Sequence, residues 1–358
     1  MGGREAARNA KRNAGAEMND SADAIGSRSW IMPALAASVV IAVIVGLTAG
    51  AYPVTSDGML RALGKLLTGA APQTPEERVI LSIRGPRVLG GLIVGAALAG
   101  AGVVYQGLFR NPLVSPDVLG VSAGAGLGAV VGIFLSLPMI AIQGFAFIGG
   151  LATVAMVYAI AAAVQGRDPT LVLVLGGVVV GALAGAAISL LKILADPYDQ
   201  LPAITFWLLG SLASTRASDV WSALPAVVIG LVPLVLLRWR INVLSLGDEE
   251  ARALGVEAGR IRAVVIGAAT LITASVVAIS GVIGWVGLVI PHIARMLVGP
   301  NFERLLPAAM LMGASYLVLV DTLARSLGRI EVPIGILTAV VGAPFFLWLL
   351  WRGRHGWS

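Results

Sequence analysis

The chain of 358 residues contains no cysteine at all. Disulfides, thiolate metal sites and cysteine nucleophiles are therefore excluded. Histidine is almost as scarce: His292 and His355 are the only two, too few and too far apart in sequence for a multi-histidine metal centre. Charge is the third scarcity. Asp, Glu, Lys and Arg make up 12% of the chain, about half the share of a soluble domain. A Gly-x-x-x-x-Gly-Lys-[Ser/Thr] phosphate loop is missing as well, so the chain carries no ATP-hydrolysing motif of its own. What fills the space is apolar: 58% hydrophobic residues and a mean hydropathy of +0.91. At about 20 apolar residues per membrane helix, this suffices for roughly ten spans and leaves little for a separate soluble core. The pattern is that of an all-α polytopic membrane protein. Its net charge of +6 reflects basic residues held on one side of the bilayer. No basic stripe interleaved with aromatics suggests nucleic acid.

Charges are costly at the bilayer centre, so the gaps between them mark what can lie in lipid. Single-span gaps run from Arg28 to Asp57, Arg87 to Arg110, Asp168 to Lys192, Asp219 to Arg238, Arg304 to Asp321 and Glu331 to Arg352. The long gap from Asp117 to Arg167 divides near Ser136-Leu137-Pro138 into two spans. The gap from Arg262 to Arg295 divides into a helix and a shorter helix, with Gly281, Gly284, Gly287 and Pro291 as the expected breakers. Ten spans result. The stretch Leu201 to Thr215, with Pro202 and Gly210, is expected to form a short interfacial or re-entrant helix. With an inside N-terminus, sixteen of the 25 basic residues fall on the cytoplasmic side, the direction of the positive-inside rule. Both termini are then cytoplasmic. Residues 1–29 read as a disordered tail of mixed charge, residues 30–352 as the transmembrane domain, and residues 353–358 as a short C-terminal tail.

Three features stand out inside this frame. Asp321 and Arg325 lie four residues apart near the outer end of the ninth span, where they are expected to pair. The polar island at about 240–262 should hold a short helix from Glu249 to Leu254, stopped by Gly255. The 45 glycines include small-residue rows at Gly95, Ala99 and Gly102 and at Gly177, Gly181 and Gly185, suited to close helix contact. No acidic or histidine relay crosses the spans, so an ion-coupled carrier is the weaker reading and a partner protein the more natural source of energy.

Six blocks, in order, carry a family resemblance. They are Arg84-Gly85-Pro86-Arg87, Gly95 to Gly128, Phe206 to Leu212, Leu246 to Val256 (LGDEEARALGV), Gly281 to Gly299 (GVIGWVGLVIPHIARMLVG) and Val332 to Leu350. From about Trp30 to Arg352 the chain resembles the FecCD permeases of iron-siderophore, haem and cobalamin ABC importers. The resemblance implies the type II importer permease fold with ten transmembrane helices, a multi-pass place in the cytoplasmic membrane and no cofactor. It also implies a second permease subunit, two cytoplasmic ATPases and an extracytoplasmic substrate-binding protein as partners. The polar island becomes a coupling helix, with Glu250, Ala251, Leu254 and Gly255 as ATPase contacts. Arg84, Arg87 and Arg325 become docking residues for the binding protein. Family members usually have Leu where this chain has Gly85, which loosens the backbone between the two arginines. Gln106, Asn111, Pro112, Pro291 and His292 are candidates for the translocation path or its support. Asn111 is expected to satisfy freed backbone groups and His292 to bond within a bend. The cargo expected is a ferric siderophore, with haem, cobalamin or a molybdate-like oxyanion as alternatives.

Overall fold

A computed structural model describes residues 30–50, 52–164, 169–328 and 330–352. The expectations for the two tails and for Arg167 lie outside the described residues. Among the described residues the secondary structure is helical, with no strand. The helices are α1 (Ile31–Thr48), α2 (Ser56–Thr68), α3 (Pro75–Arg78), α4 (Gly85–Leu108), α5 (Val121–Phe134), α6 (Met139–Ala163), α7 (Pro169–Leu194) and α8 (Gln200–Leu209). They continue with α9 (Ala217–Leu236), α10 (Arg238–Leu244), α11 (Asp248–Ala253), α12 (Ala258–Ser280), α13 (Val286–Val298), α14 (Phe302–Ala324) and α15 (Ile334–Arg352).

Every gap between charges holds the helix expected of it. Seven helical segments are long and apolar enough to cross a membrane: α1, the continuous run Pro75–Leu108, α6, α7, α9, α12 and α14. Four shorter apolar helices accompany them, α5, α8, α13 and α15. At about 1.5 Å per residue, α5 and α13 reach only about 20 Å. Irregular chain completes their paths, and such chain is tolerated at membrane depth only where protein encloses it. Pro116, Leu119, Gly281 and Ile283 in these connections are buried accordingly.

Burial sorts the spans into two shells. The buried share of the apolar window is 78% for Pro75–Leu108, 72% for α12 and 67% for α14, but 17% for α1. The first three form the centre. They can pack tightly because glycine backbones touch: a Cβ on Gly95 would lie 2.1 Å from the Gly313 carbonyl oxygen on α14, and one on Gly102 would lie 2.0 Å from that of Gly287 on α13. The second small-residue row behaves differently. Gly177 abuts the Val118 carbonyl oxygen, whereas nothing approaches Gly185. Only the first residue of that row serves close packing.

The structure corrects three local expectations. The long gap breaks at Gly281–Trp285, where Gly281 and Trp285 have φ of 67° and 71°. Gly287 and Pro291 lie within α13, and Gly287 serves helix contact instead. The Arg84–Arg87 motif is helical throughout: Val79–Arg84 is a π-helical turn joining α3 to α4. Gly85 tightens that turn, since its N–H bonds to the Ile80 carbonyl and a Cβ there would lie 2.9 Å from the same oxygen.

Candidate functional site

Two ends of the bundle gather the charged residues. At one end the polar island folds into α10 and α11. The latter spans Asp248–Ala253, one residue earlier than expected at each end. Gly247, at φ 146°, turns the chain into α11, and Gly255, at φ 75°, turns it out again. Asp248, Glu249 and Glu250 crowd the first turn, where the helix dipole favours carboxylates. Asp248 also accepts a 2.7 Å bond from Arg262 Nη2 on α12. Asn242 fastens the neighbouring helix, donating to Asn301 at 3.1 Å and accepting from the Phe302 N–H at 2.8 Å. The loop is therefore a tethered ledge. Glu250, Leu254 and Gly255 face outward on it, with Leu254 54% exposed. Ala251 does not join them: it is fully buried and its carbonyl accepts the Val256 N–H at 2.8 Å. Its small side chain anchors the ledge.

At the other end, the expected docking arginines point inward. Arg84 is 4% exposed and donates to the carbonyls of Leu47 and Thr48, each at 2.9 Å, and of Tyr52 at 2.7 Å. Arg325 donates to the carbonyls of Ala49, at 2.8 Å, and Gly46. The last turn of α1 leaves carbonyls without helical partners, and a guanidinium can satisfy several at once. Arg87 donates from Nε to both oxygens of Asp321 at 2.8 Å and from Nη1 to Glu331 at 3.0 Å. Asp321 thus belongs chiefly to Arg87. Arg325, the partner expected from sequence, stands 3.7 Å away. Three arginines and two carboxylates tie α1, the start of α4 and the end of α14 together, and none of the guanidinium groups is displayed on the surface.

The path candidates divide as well. Gln106, fully buried on α4, donates to the Leu288 carbonyl on α13 at 3.0 Å. Pro291 is buried one turn further along α13; lacking an N–H, it leaves the Gly287 carbonyl unbonded within the helix, where Gly102 packs against it. Asn111 accepts from the Leu113 N–H at 2.9 Å and closes the turn after α4, as expected. Pro112 and His292 meet in an apolar crevice with Leu288, Phe345 and Phe346. The His292 side chain makes no hydrogen bond among the described residues, contrary to the expectation of a bonded bend.

The sequence reading missed an open cavity of about 540 Å³ at the arginine end. Gln143, Asp199, Gln200, Trp207 and Asp219 are among its walls, and it draws on α5, α6, α8, α9 and α12. The hydroxyl and amide residues around α8 were the available signal. No group of residues able to hold a metal ion occurs among the described residues.

This architecture, a multi-span bundle with a polar ledge at one end, is that of a transporter permease. The FecCD transport family model matches residues 38–352, and the chain belongs to that family of ABC importer permeases. It is 44% identical over 278 residues to a probable iron chelatin transport system permease of Helicobacter pylori, covering 77% of this chain and 83% of that one. It is 40% identical over 318 residues to the molybdate import system permease of Haemophilus influenzae, covering 89% and 94%. Among solved structures, one described as an inward-facing metal-chelate type ABC transporter superposes with a TM-score of 0.81 at 39% identity, over 90% of this chain and 99% of that one.

Proposed function

We propose that this chain is the membrane subunit that imports a ferric siderophore across the cytoplasmic membrane by alternating access, powered by ATPase subunits that it does not itself contain. The observation that carries the coupling half of this reading is the ledge. A short helix and the turn after it present Glu250, Leu254 and Gly255 outward, while Asp248 bonds to Arg262 on α12 and Asn242, on the adjoining α10, bonds to Phe302 on α14. A helix seated in a cleft of a moving ATPase needs such a rigid link to transmit displacement to the spans. In this reading the ledge and both termini are cytoplasmic, a second permease copy or relative completes the path, and an extracytoplasmic binding protein delivers the cargo to the arginine end. Because Arg84, Arg87 and Arg325 are internally paired, their part in that docking is to hold the receiving surface in shape. Lipid surrounds α1, α6, α7 and α9, the poorly buried helices.

A second cargo has a specific observation in its favour. The molybdate permease is matched over a larger share of both chains than the iron chelatin permease. Reconstitution with the ATPase and binding protein encoded beside the gene decides between them. Uptake of radiolabelled ferric siderophore into proteoliposomes, dependent on ATP, is the expected result. Molybdate uptake instead would replace the cargo, and uptake driven by an ion gradient without ATP would refute the importer reading.

A further inference from the structure

A cavity beside the ledge has a chemistry unlike the rest of the bundle. It measures about 270 Å³ and is lined by Gln106, Arg110, Asn242, Ser245 and Arg295 together with apolar groups, and no Asp or Glu is among its walls. Neither arginine forms an ion pair with a described residue. The Nε of Arg295 is buried without an acceptor, and its Nη2 reaches only Gln106 Oε1, at 3.5 Å. The neutral groups nearby are already engaged: Gln106 Nε2 with Leu288, Asn242 with Asn301 and Phe302, and the Ser245 hydroxyl with the Asn242 carbonyl at 2.6 Å. Helix ends do not cancel the two positive charges. The C-termini of α4, α10 and α13 each bring roughly half a negative charge and the N-terminus of α14 returns about half a positive one, so helix ends offset about one of the two charges. Glu250 stands outside the cavity walls but near Arg110, since both side chains approach Gly247, without forming an ion pair with it.

We propose that this cavity binds a tetrahedral oxyanion, a phosphate group, held between Arg110 after α4 and Arg295 on α13. Guanidinium forks match phosphate oxygens in pairs. The cavity has room for a group of that size. Arg110 adopts a left-handed conformation, φ 48°, in the tight turn that carries it to this end of the bundle. A bound phosphate would join that turn to α13 and so stiffen the end of the bundle next to α11. The source is either free phosphate or a phospholipid headgroup.

The full chain, purified in detergent without phosphate, is titrated with inorganic phosphate while its melting temperature is followed by tryptophan fluorescence. Chloride at matched ionic strength is the control. A saturable rise with phosphate, weakened at least tenfold in midpoint by Arg110→Gln and by Arg295→Gln and partly kept by Arg295→Lys, identifies free phosphate as the ligand. If a phospholipid already occupies the site, native mass spectrometry finds it bound to the wild type and depleted from both glutamine variants. The absence of both signals overturns the proposal, as does a phosphate response that survives in both glutamine variants. Should Arg295→Gln fail to fold, Arg110→Gln carries the comparison, because Arg110 is exposed and its side chain makes no bond among the described residues.

Discussion

Replacing Arg87 by methionine tests the buried network at the arginine end. The change keeps most of the side chain's length and removes its charge. Asp321, whose side chain is 3% exposed, would lose two 2.8 Å bonds and keep only Arg325 at 3.7 Å. Breaking a buried ion pair from one side costs about 3–5 kcal/mol, because the remaining charge is stranded without water. Arg325 softens that loss, and Glu331, 29% exposed, can turn to solvent. A destabilisation of about 3 kcal/mol follows, a factor of roughly a hundred in the folding equilibrium. The double variant Arg87→Met, Asp321→Leu should recover most of it, since an apolar pair of similar volume is tolerated where the ion pair stood. Reversible unfolding in mixed detergent micelles, followed by circular dichroism, measures both. A single variant as stable as the wild type would refute the reasoning. So would a double variant no better than the single.

Five further substitutions have expected outcomes. Gly95→Ala must part α4 from α14 by about 0.9 Å, the gap between 2.1 Å and the 3.0 Å approach that real Cβ atoms respect, and should destabilise by about 1–3 kcal/mol. Gly267→Ala, with nothing within 4 Å of its Cβ, should be neutral or stabilising by up to about 1 kcal/mol, so equal melting of the two would sink the packing argument. Glu250→Arg should abolish transport-coupled ATP hydrolysis with membrane insertion intact, whereas Ala251→Leu should impair stability in detergent, because one residue faces outward and the other is buried. Asn111→Ala should cost about 1 kcal/mol through the lost turn bond, read as a lower melting temperature with no change in helix content.

The helices were legible because charge is excluded from lipid, so each absence of Asp, Glu, Lys and Arg marks a segment. The turn at Ser136, with φ 52°, and the end of the ledge at Gly255 were legible for the same local reasons that make turns readable. The direction of a side chain was not. Arg84 and Arg325 look like surface charges in a string of letters, and only the proximity of the unpaired carbonyls of α1 turns them inward. Ala251 fails in the same way: a helix of six residues has a hidden face, and the sequence does not say which face that is. His292 is half-buried beside Phe345 and Phe346 because α13 and α15 meet there, a long-range contact without a local sign.

The break at Gly281 is stitched to its surroundings chiefly by main chain, with the Ser280 hydroxyl donating to the Gly281 carbonyl at 3.1 Å as well. The Ser211 N–H donates to the Ser280 carbonyl at 2.8 Å, the Ile334 N–H donates to Gly210 at 3.0 Å, and Gly281 and Gly335 press against the carbonyls of Trp207 and Leu209. Short α8, the end of α12 and the start of α15 are thereby sewn into one knot made largely of main-chain contacts. Substitution can vary the walls of the neighbouring cavity without untying it. A family whose members are named for several different cargoes can vary the side chains around this cavity while the knot stays put.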